Sequence, residues 1–257
     1  YSISEEFTSV YRLHSLLPEN LNIRKLSDKK KVTAIPFKET RNEKAYPLMA
    51  SHELKDLYYS FGTQLPGQLV LNNFPKFMQN LEIPGRPNMD LGMVDIIRDR
   101  ERGVPRYNQF RRALNPQREK DGIQPIRTYR DFFPAGKPLD AKQQEILKKF
   151  YKVYGKDSKG NDNVEQIDLL VGTLAEQVRP DKFGFGETMF HIFILMASRR
   201  LMADRFFTDD YGGKYYTETG MDWIDQKGRF AQVILRHMPQ LAPKMAHLET
   251  AFEPWKQ

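Results

Sequence analysis

Apolar residues recur at helical spacing along most of this chain, and the alternation that a half-buried strand needs is scarce. The first stripe, Phe7, Val10, Tyr11, His14 and Leu17, turns one helix face inward before Pro18 disfavours helical geometry at Leu17. Ser2 with Glu5 three residues on reads as a capping box at its start. Residues 21–44 read as an extended, polar, basic connection. Leu54, Leu57, Tyr58 and Phe61 predict a helix over 52–61, broken by Gly62, Pro66 and Gly67. A further helix is expected over 69–81, ahead of the turn Pro84-Gly85-Arg86-Pro87.

Residues 89–102 predict a helix that grows more charged towards Gly103. An irregular surface path over 122–137 should lead into a helix near Leu139. Ile146, Leu147, Phe150, Tyr151 and Tyr154 make 141–154 amphipathic, and 155–163 is a polar loop. Helices follow over 164–176, 187–206 and 228–237. The expected fold class is mainly α, with little β structure and no repeats.

At 257 residues, 40% hydrophobic and 12% aromatic, the chain can bury a substantial core, as one large domain or two small ones. A net charge of +7 favours anionic partners, among them nucleic acid, acidic headgroups, carboxylates and haem propionates. The absence of cysteine excludes disulfides, thiolate catalysis, Fe–S clusters, zinc fingers and a Cys-ligated haem. No stretch approaches a membrane span; the longest apolar run, 189–197, is interrupted by His191 and followed by Arg199-Arg200. The chain is expected to act in solution or as a peripheral membrane protein.

Three stretches carry candidate chemistry. In the first, Tyr11 and His14 stand about one helical turn apart, so a phenol and an imidazole share an inward face. That pairing suits a metal or haem site with an oxidisable tyrosine, and equally a core histidine satisfied by a carbonyl. In the second, Asp95 and Arg98 share a helix face within the charged run 90–108. Asp95 suits an acceptor for a metal-bound histidine's second ring N–H, and Arg98 an anionic cofactor group; a solvated helix of alternating charges reads the same way. The mixed signs of that run blur a phosphate-tracking stripe, so nucleic acid is not expected as a partner. In the third, the apolar stretch 189–197 ends at Arg199 and Arg200, a pattern for a tunnel that takes an acyl chain with an acidic head, or for a core helix with solvated arginines. His191 reads as a satisfied core histidine.

Together these stretches resemble the animal-type haem peroxidase superfamily, in its cyclooxygenase and α-dioxygenase branch. Residues 6–18, EFTSVYRLHSLLP, are similar to the segment holding that branch's radical tyrosine and proximal haem histidine; 98–108, RDRERGVPRYN, to its arginine-rich signature. Residues 167–172, IDLLVG, and 185–188, FGET, resemble later blocks, and the 196–200 ending, MASRR, points to fatty-acid α-dioxygenases.

The resemblance implies that the whole chain, 1–257, is the C-terminal portion of one large helical catalytic domain. It makes His14 the proximal ligand of a haem iron, Tyr11 the radical residue and Arg98 the propionate partner. Asp95 falls where the superfamily often has an asparagine bonded to the proximal histidine, a departure in this chain. Arg200, with Arg199 beside it, matches the arginine that holds a fatty-acid carboxylate. The implied partners are a fatty acid and dioxygen, peroxide as activator, and an upstream half carrying the distal haem residues, in the same or a separate chain. Contact with a membrane or lipid body is a further expectation. Two other readings stand beside this one: a peroxidase or diol synthase-like oxygenase, and a haem-free basic interaction module.

Overall fold

The computed structural model describes residues 4–28, 32–181 and 183–256, and among these the only sheet has two strands. The mainly α expectation holds. The Ser2 end of the expected capping box lies outside the described residues. The chain separates into two compact units, Tyr1–Leu16 with Gln68–Leu201, and Leu17–Gly67 with Met202–Gln257.

In the first unit the expected 89–102 helix forms over Leu91–Glu101. It starts at Asp90, whose Oδ1 accepts from the Met93 amide at 3.0 Å, satisfying one of the donors a helix start leaves free. The Ala141–Val153 helix begins with an Asp140–Gln143 capping box. Its apolar stripe brings Phe150 against Tyr129 at 5.2 Å and Phe132 at 5.1 Å, and Phe132 in turn lies 5.3 Å from Tyr107. These rings, with Ile167, Leu169, Met189 and Ile192, are the centre of the core.

The stretch 122–137 is irregular, as expected, but it is no surface path: Ile123, Tyr129, Phe132 and Phe133 are all buried. Side chains satisfy the backbone that a buried loop would otherwise orphan. Asn108 accepts from the Ile126 amide and donates to its carbonyl, both at 2.9 Å, and Asp162 accepts from the Tyr129 amide at 2.9 Å. The expected helix over 69–81 shrinks to Lys76–Gln79. Asn72 has a φ of 62°, the Asn73 amide is spent on the carbonyls of Ser15 and Gln68, and Pro75 keeps Phe74 out of the helical region. The expected 164–176 helix divides into a 3-10 turn, Val164–Gln166, and a helix, Leu169–Ala175. Gly172 on that helix lies under the Tyr107 ring, where any Cβ would overlap it.

In the second unit part of the expected extended connection is a hairpin. Asn20–Arg24 (β1) pairs antiparallel with Val32–Pro36 (β2), Asn20 opposite Pro36. The Leu54–Thr63 helix satisfies the other edge of β1: Ser60 Oγ accepts from the Arg24 amide at 2.7 Å, and Gln64 Oε1, one residue past the helix, from the Asn22 amide at 2.8 Å. Tyr59, Ile234, Leu241, Met245 and Trp255 make this unit's core. Its Gly213–Lys227 helix, which no periodicity predicted, is kinked at Thr217 with a φ of 64°.

Candidate active site around Tyr11 and His14

The first helix is shorter than its stripe implied. It runs Glu6–Tyr11, and His14 lies in a separate 3-10 turn, Leu13–Leu16. Tyr11 and His14 therefore do not share one α-helical face. Side chains on either side of the break are held by partners from other segments of the unit. Ser9 Oγ donates to Asp99, Arg12 turns its Nε to within 3.0 Å of Asp95 Oδ1, and the Ser15 carbonyl accepts from Asn73 Nδ2 at 3.1 Å. The Leu91–Glu101 helix thus grips the N-terminal segment through two buried aspartates.

Tyr11 is part-buried between two rings. Phe7, four residues back on the same helix, stacks on it at 4.0 Å with 14° between the planes. Phe193, from the Glu187–Ala203 helix, lies 5.6 Å away on a 25° tilt. Arg200 sits two turns further along that helix, on the same face, with its guanidinium 5.8 Å from the Phe7 ring. A cation, a spacer ring and the phenol thus follow one another within the unit. Arg199 is exposed at the same helix end, one residue off that face.

His14 is half-buried, edge-on to Phe74 at 5.5 Å, and its Nδ1 is buried without a hydrogen-bond partner. Burial, then the charge of Arg12, hold its pKa below the usual histidine range. A neutral imidazole is the form that ligates a metal. Asp95 is 2% exposed, and neither of its oxygens receives a hydrogen bond. Burial pushes its carboxyl up, against the opposing pull of Arg12. The expected bond from His14 Nδ1 to Asp95 is not formed; the carboxylate faces Arg12 instead. Arg98, the expected propionate partner, is half-exposed and donates to Glu5 at 3.1 and 3.3 Å, while Arg102 stands 3.6 Å from the same carboxylate. An exposed pair of this kind contributes only about 0–1 kcal/mol, so an incoming anion can displace Glu5 at small cost.

Other charged residues of the signature run brace the unit. Arg100 makes a two-pronged contact with Asp168 at 2.8 Å on each side, and Arg106 and the Tyr154 hydroxyl add to the same carboxylate. Burial and the Asp168 charge push the Tyr154 phenol up, so it remains a donor. Arg111, on the Tyr107–Leu114 helix, reaches Glu176 at 2.9 Å, Thr188 at 2.8 Å and Tyr107 at 3.2 Å. Gly186 lies so close to Glu176 that a Cβ would overlap it. The sequence blocks 98–108, 167–172 and 185–188 therefore meet in two ion clusters, each built on a buried carboxylate, Asp168 or Glu176. Arg12, Arg111, Asp168 and Glu176 escaped sequence reasoning, because a charge paired in the core and a charge in solvent look alike along a chain. His191 is satisfied by the Glu187 carbonyl at 2.8 Å, yet it is exposed and not a core residue.

The family model of animal haem peroxidase matches residues 1–248, and the chain belongs to that family. Alpha-dioxygenase 2 of Arabidopsis thaliana is 38% identical over 268 residues, covering 99% of this chain and 39% of the relative. Alpha-dioxygenase PIOX of Oryza sativa is 36% identical, with 99% and 40% covered. A crystal structure of Oryza sativa fatty acid alpha-dioxygenase with palmitic acid superposes with a TM-score of 0.81 at 35% identity, covering all of this chain and 41% of that one. Peroxidase A of Dictyostelium discoideum, at 23% identity and a TM-score of 0.65, shares the fold. The chain spans about two fifths of the length of the alpha-dioxygenases it matches. Among the described residues no helix is long and apolar enough to cross a membrane.

Proposed function

We propose that this chain is the proximal-side portion of a haem-dependent fatty-acid α-dioxygenase, its two units belonging to one catalytic domain. The observation that carries the reading is the run from Arg200 through Phe7 to Tyr11, flanked by Phe193. It supports a carboxylate held at one end and hydrogen abstraction a short distance away. His14, its pKa lowered by burial and one ring nitrogen buried without a partner, would be the residue that holds a haem iron. Arg98 would take a propionate in exchange for Glu5.

A bound haem would supply the oxidising power, with peroxide as the oxidant. Tyr11 gives up one electron and its phenolic proton, and its phenoxyl oxygen then takes a hydrogen atom from carbon 2 of the acid. Dioxygen adds at the carbon radical, and the resulting peroxyl radical takes a hydrogen atom back from the Tyr11 hydroxyl, which completes the 2-hydroperoxy acid and restores the phenoxyl radical. Phe7 and Phe193 hold the phenol ring by stacking and keep water from its faces. Arg200 would set the register by pairing with the carboxylate, so that carbon 2, the next atom along the chain, stays nearest the fixed end.

The variant Arg200→Ala tests the clamp in the complete enzyme. Loss of a charge-assisted contact of about 1.5–3 kcal/mol should lower kcat/KM for a fatty acid roughly ten- to hundredfold, and leave oxidation of a small phenol unchanged. Equal losses on both substrates would place Arg200 outside the acyl site.

A further inference from the structure

The segment 176–180 and the start of the Glu187–Ala203 helix line an open cavity of about 510 Å³ in the first unit, a size that takes a small organic molecule. Phe132, Phe190 and Val178 give it apolar walls, and none of Phe7, Tyr11, His14 or Arg200 lines it. Its carboxylates are all engaged. Glu176 is held by Arg111, Tyr107 and Thr188, and Glu187 by Arg111 at 3.0 Å. Asp131 accepts from the Arg127 and Thr128 amides at 2.8 and 3.0 Å. His191 Nδ1 donates to the Glu187 carbonyl at 2.8 Å.

Arg179 is the lining charge that is left over. It is part-buried, and among the described residues no carboxylate pairs with it, whereas Arg100, Arg106, Arg111 and Arg112 each face one. Its Nη2 donates to the Leu69 carbonyl at 3.0 Å and its Nη1 to the Gly184 carbonyl. These bonds fix the guanidinium without cancelling its charge, and its Nε–H and the second hydrogen of each terminal nitrogen stay unspent. Burial holds its pKa below the usual arginine range, the direction for a desolvated cation. A fork anchored in advance loses little freedom when it takes a carboxylate. Phe190 stands edge-on to Phe183 at 4.5 Å, and a further ring can pack on it in the same way. An inorganic anion would leave these apolar walls wet, and the carboxylates of Glu187 and Asp131 disfavour a second negative charge. We propose that this cavity binds a small aromatic monocarboxylate, its oxygens on the Arg179 guanidinium and its ring against Phe190. The inference does not depend on the reading of Tyr11 and Arg200.

The test titrates 4-fluorobenzoate into the complete haem-loaded enzyme without oxygen and follows it by fluorine NMR. Binding should saturate, and should persist with excess palmitic acid and in Arg200→Ala. The uncharged 4-fluorobenzamide should bind about tenfold more weakly or worse, because it cannot pair with the guanidinium. Arg179→Gln should weaken the carboxylate by a similar factor, about tenfold. Val178→Trp, which fills the cavity from an exposed position, should abolish binding and leave Tm and fatty-acid turnover unchanged. If Arg179→Gln does not fold, Val178→Trp decides: lost binding supports the inference, and full-strength binding overturns it. A parent enzyme that does not bind the probe, or binds the amide equally well, would also overturn it. Displacement by palmitic acid, or loss of binding in Arg200→Ala, would put the probe in the acyl site and overturn it too.

Discussion

Tyr11→Phe should leave haem binding and folding intact and reduce fatty-acid oxygenation to background, about a thousandfold or more, equivalent to roughly 4 kcal/mol of barrier. The ring stays, so the stack on Phe7 at 4.0 Å and the contact with Phe193 at 5.6 Å persist. Such contacts are worth about 0.5–1.5 kcal/mol each, and keeping them should hold stability within about 1 kcal/mol of the parent. Only the O–H bond is removed, and with it the proton and electron that the proposed reaction takes from this residue. The comparison to make is oxygen uptake with a fatty acid against the haem absorbance of the same sample. Undiminished uptake in a haem-loaded Tyr11→Phe enzyme would show that another group abstracts the hydrogen.

The largest loss of stability is expected at Arg111. Its guanidinium reaches Glu176, Thr188, Tyr107 and Glu187, while Nε donates to the Gln124 carbonyl at 2.5 Å. Arg111→Leu would leave the Glu176 charge almost fully buried without its cation, a penalty of about 3–5 kcal/mol. For a chain of this size that corresponds to a fall in Tm of roughly 10 °C. Tyr107 cannot relieve the strain by ionising, since burial and the Glu176 charge push its phenol well up and keep it a donor. Adding Glu176→Gln should recover a large part of the loss, because the stranded charge is gone. Thermal unfolding of the single and double variants checks this. A fall of only a degree or two in Arg111→Leu would mean that the cluster is solvated in solution.

Elements whose cause is local were legible. Asp90 starts the Leu91–Glu101 helix, Asp140 and Gln143 cap Ala141–Val153, and the polar loop over 155–163 falls where its Gly, Asp and Asn residues place it. Elements decided by distant partners were not. Asn73 is claimed by the Ser15 carbonyl, and a helix expected through 69–81 collapses to four residues. The first helix stops at Tyr11 as Ser9 and Arg12 turn to aspartates some eighty to ninety positions away.

The site divides in the same way. Tyr11, His14 and Arg200 could be singled out as residues, and the first unit brings Arg200 to Phe7 and Phe7 to Tyr11. That Arg12 faces Asp95, and Glu5 faces Arg98, required the fold. The buried aspartates on the Leu91–Glu101 helix also explain why that run looked solvated along the chain. Its charges alternate in sequence, but Asp95 and Asp99 point inward while Arg98 and Arg102 reach outward.

The central claim is that a carboxylate held at Arg200 presents carbon 2 to Tyr11. Mass spectrometry of the products formed by the complete haem-loaded enzyme from palmitic acid and dioxygen tests it most directly. The account predicts oxygen at carbon 2, as the 2-hydroperoxy acid or the products of its breakdown; oxygen placed within the chain, or peroxidase turnover with no oxygenated fatty acid, would contradict it.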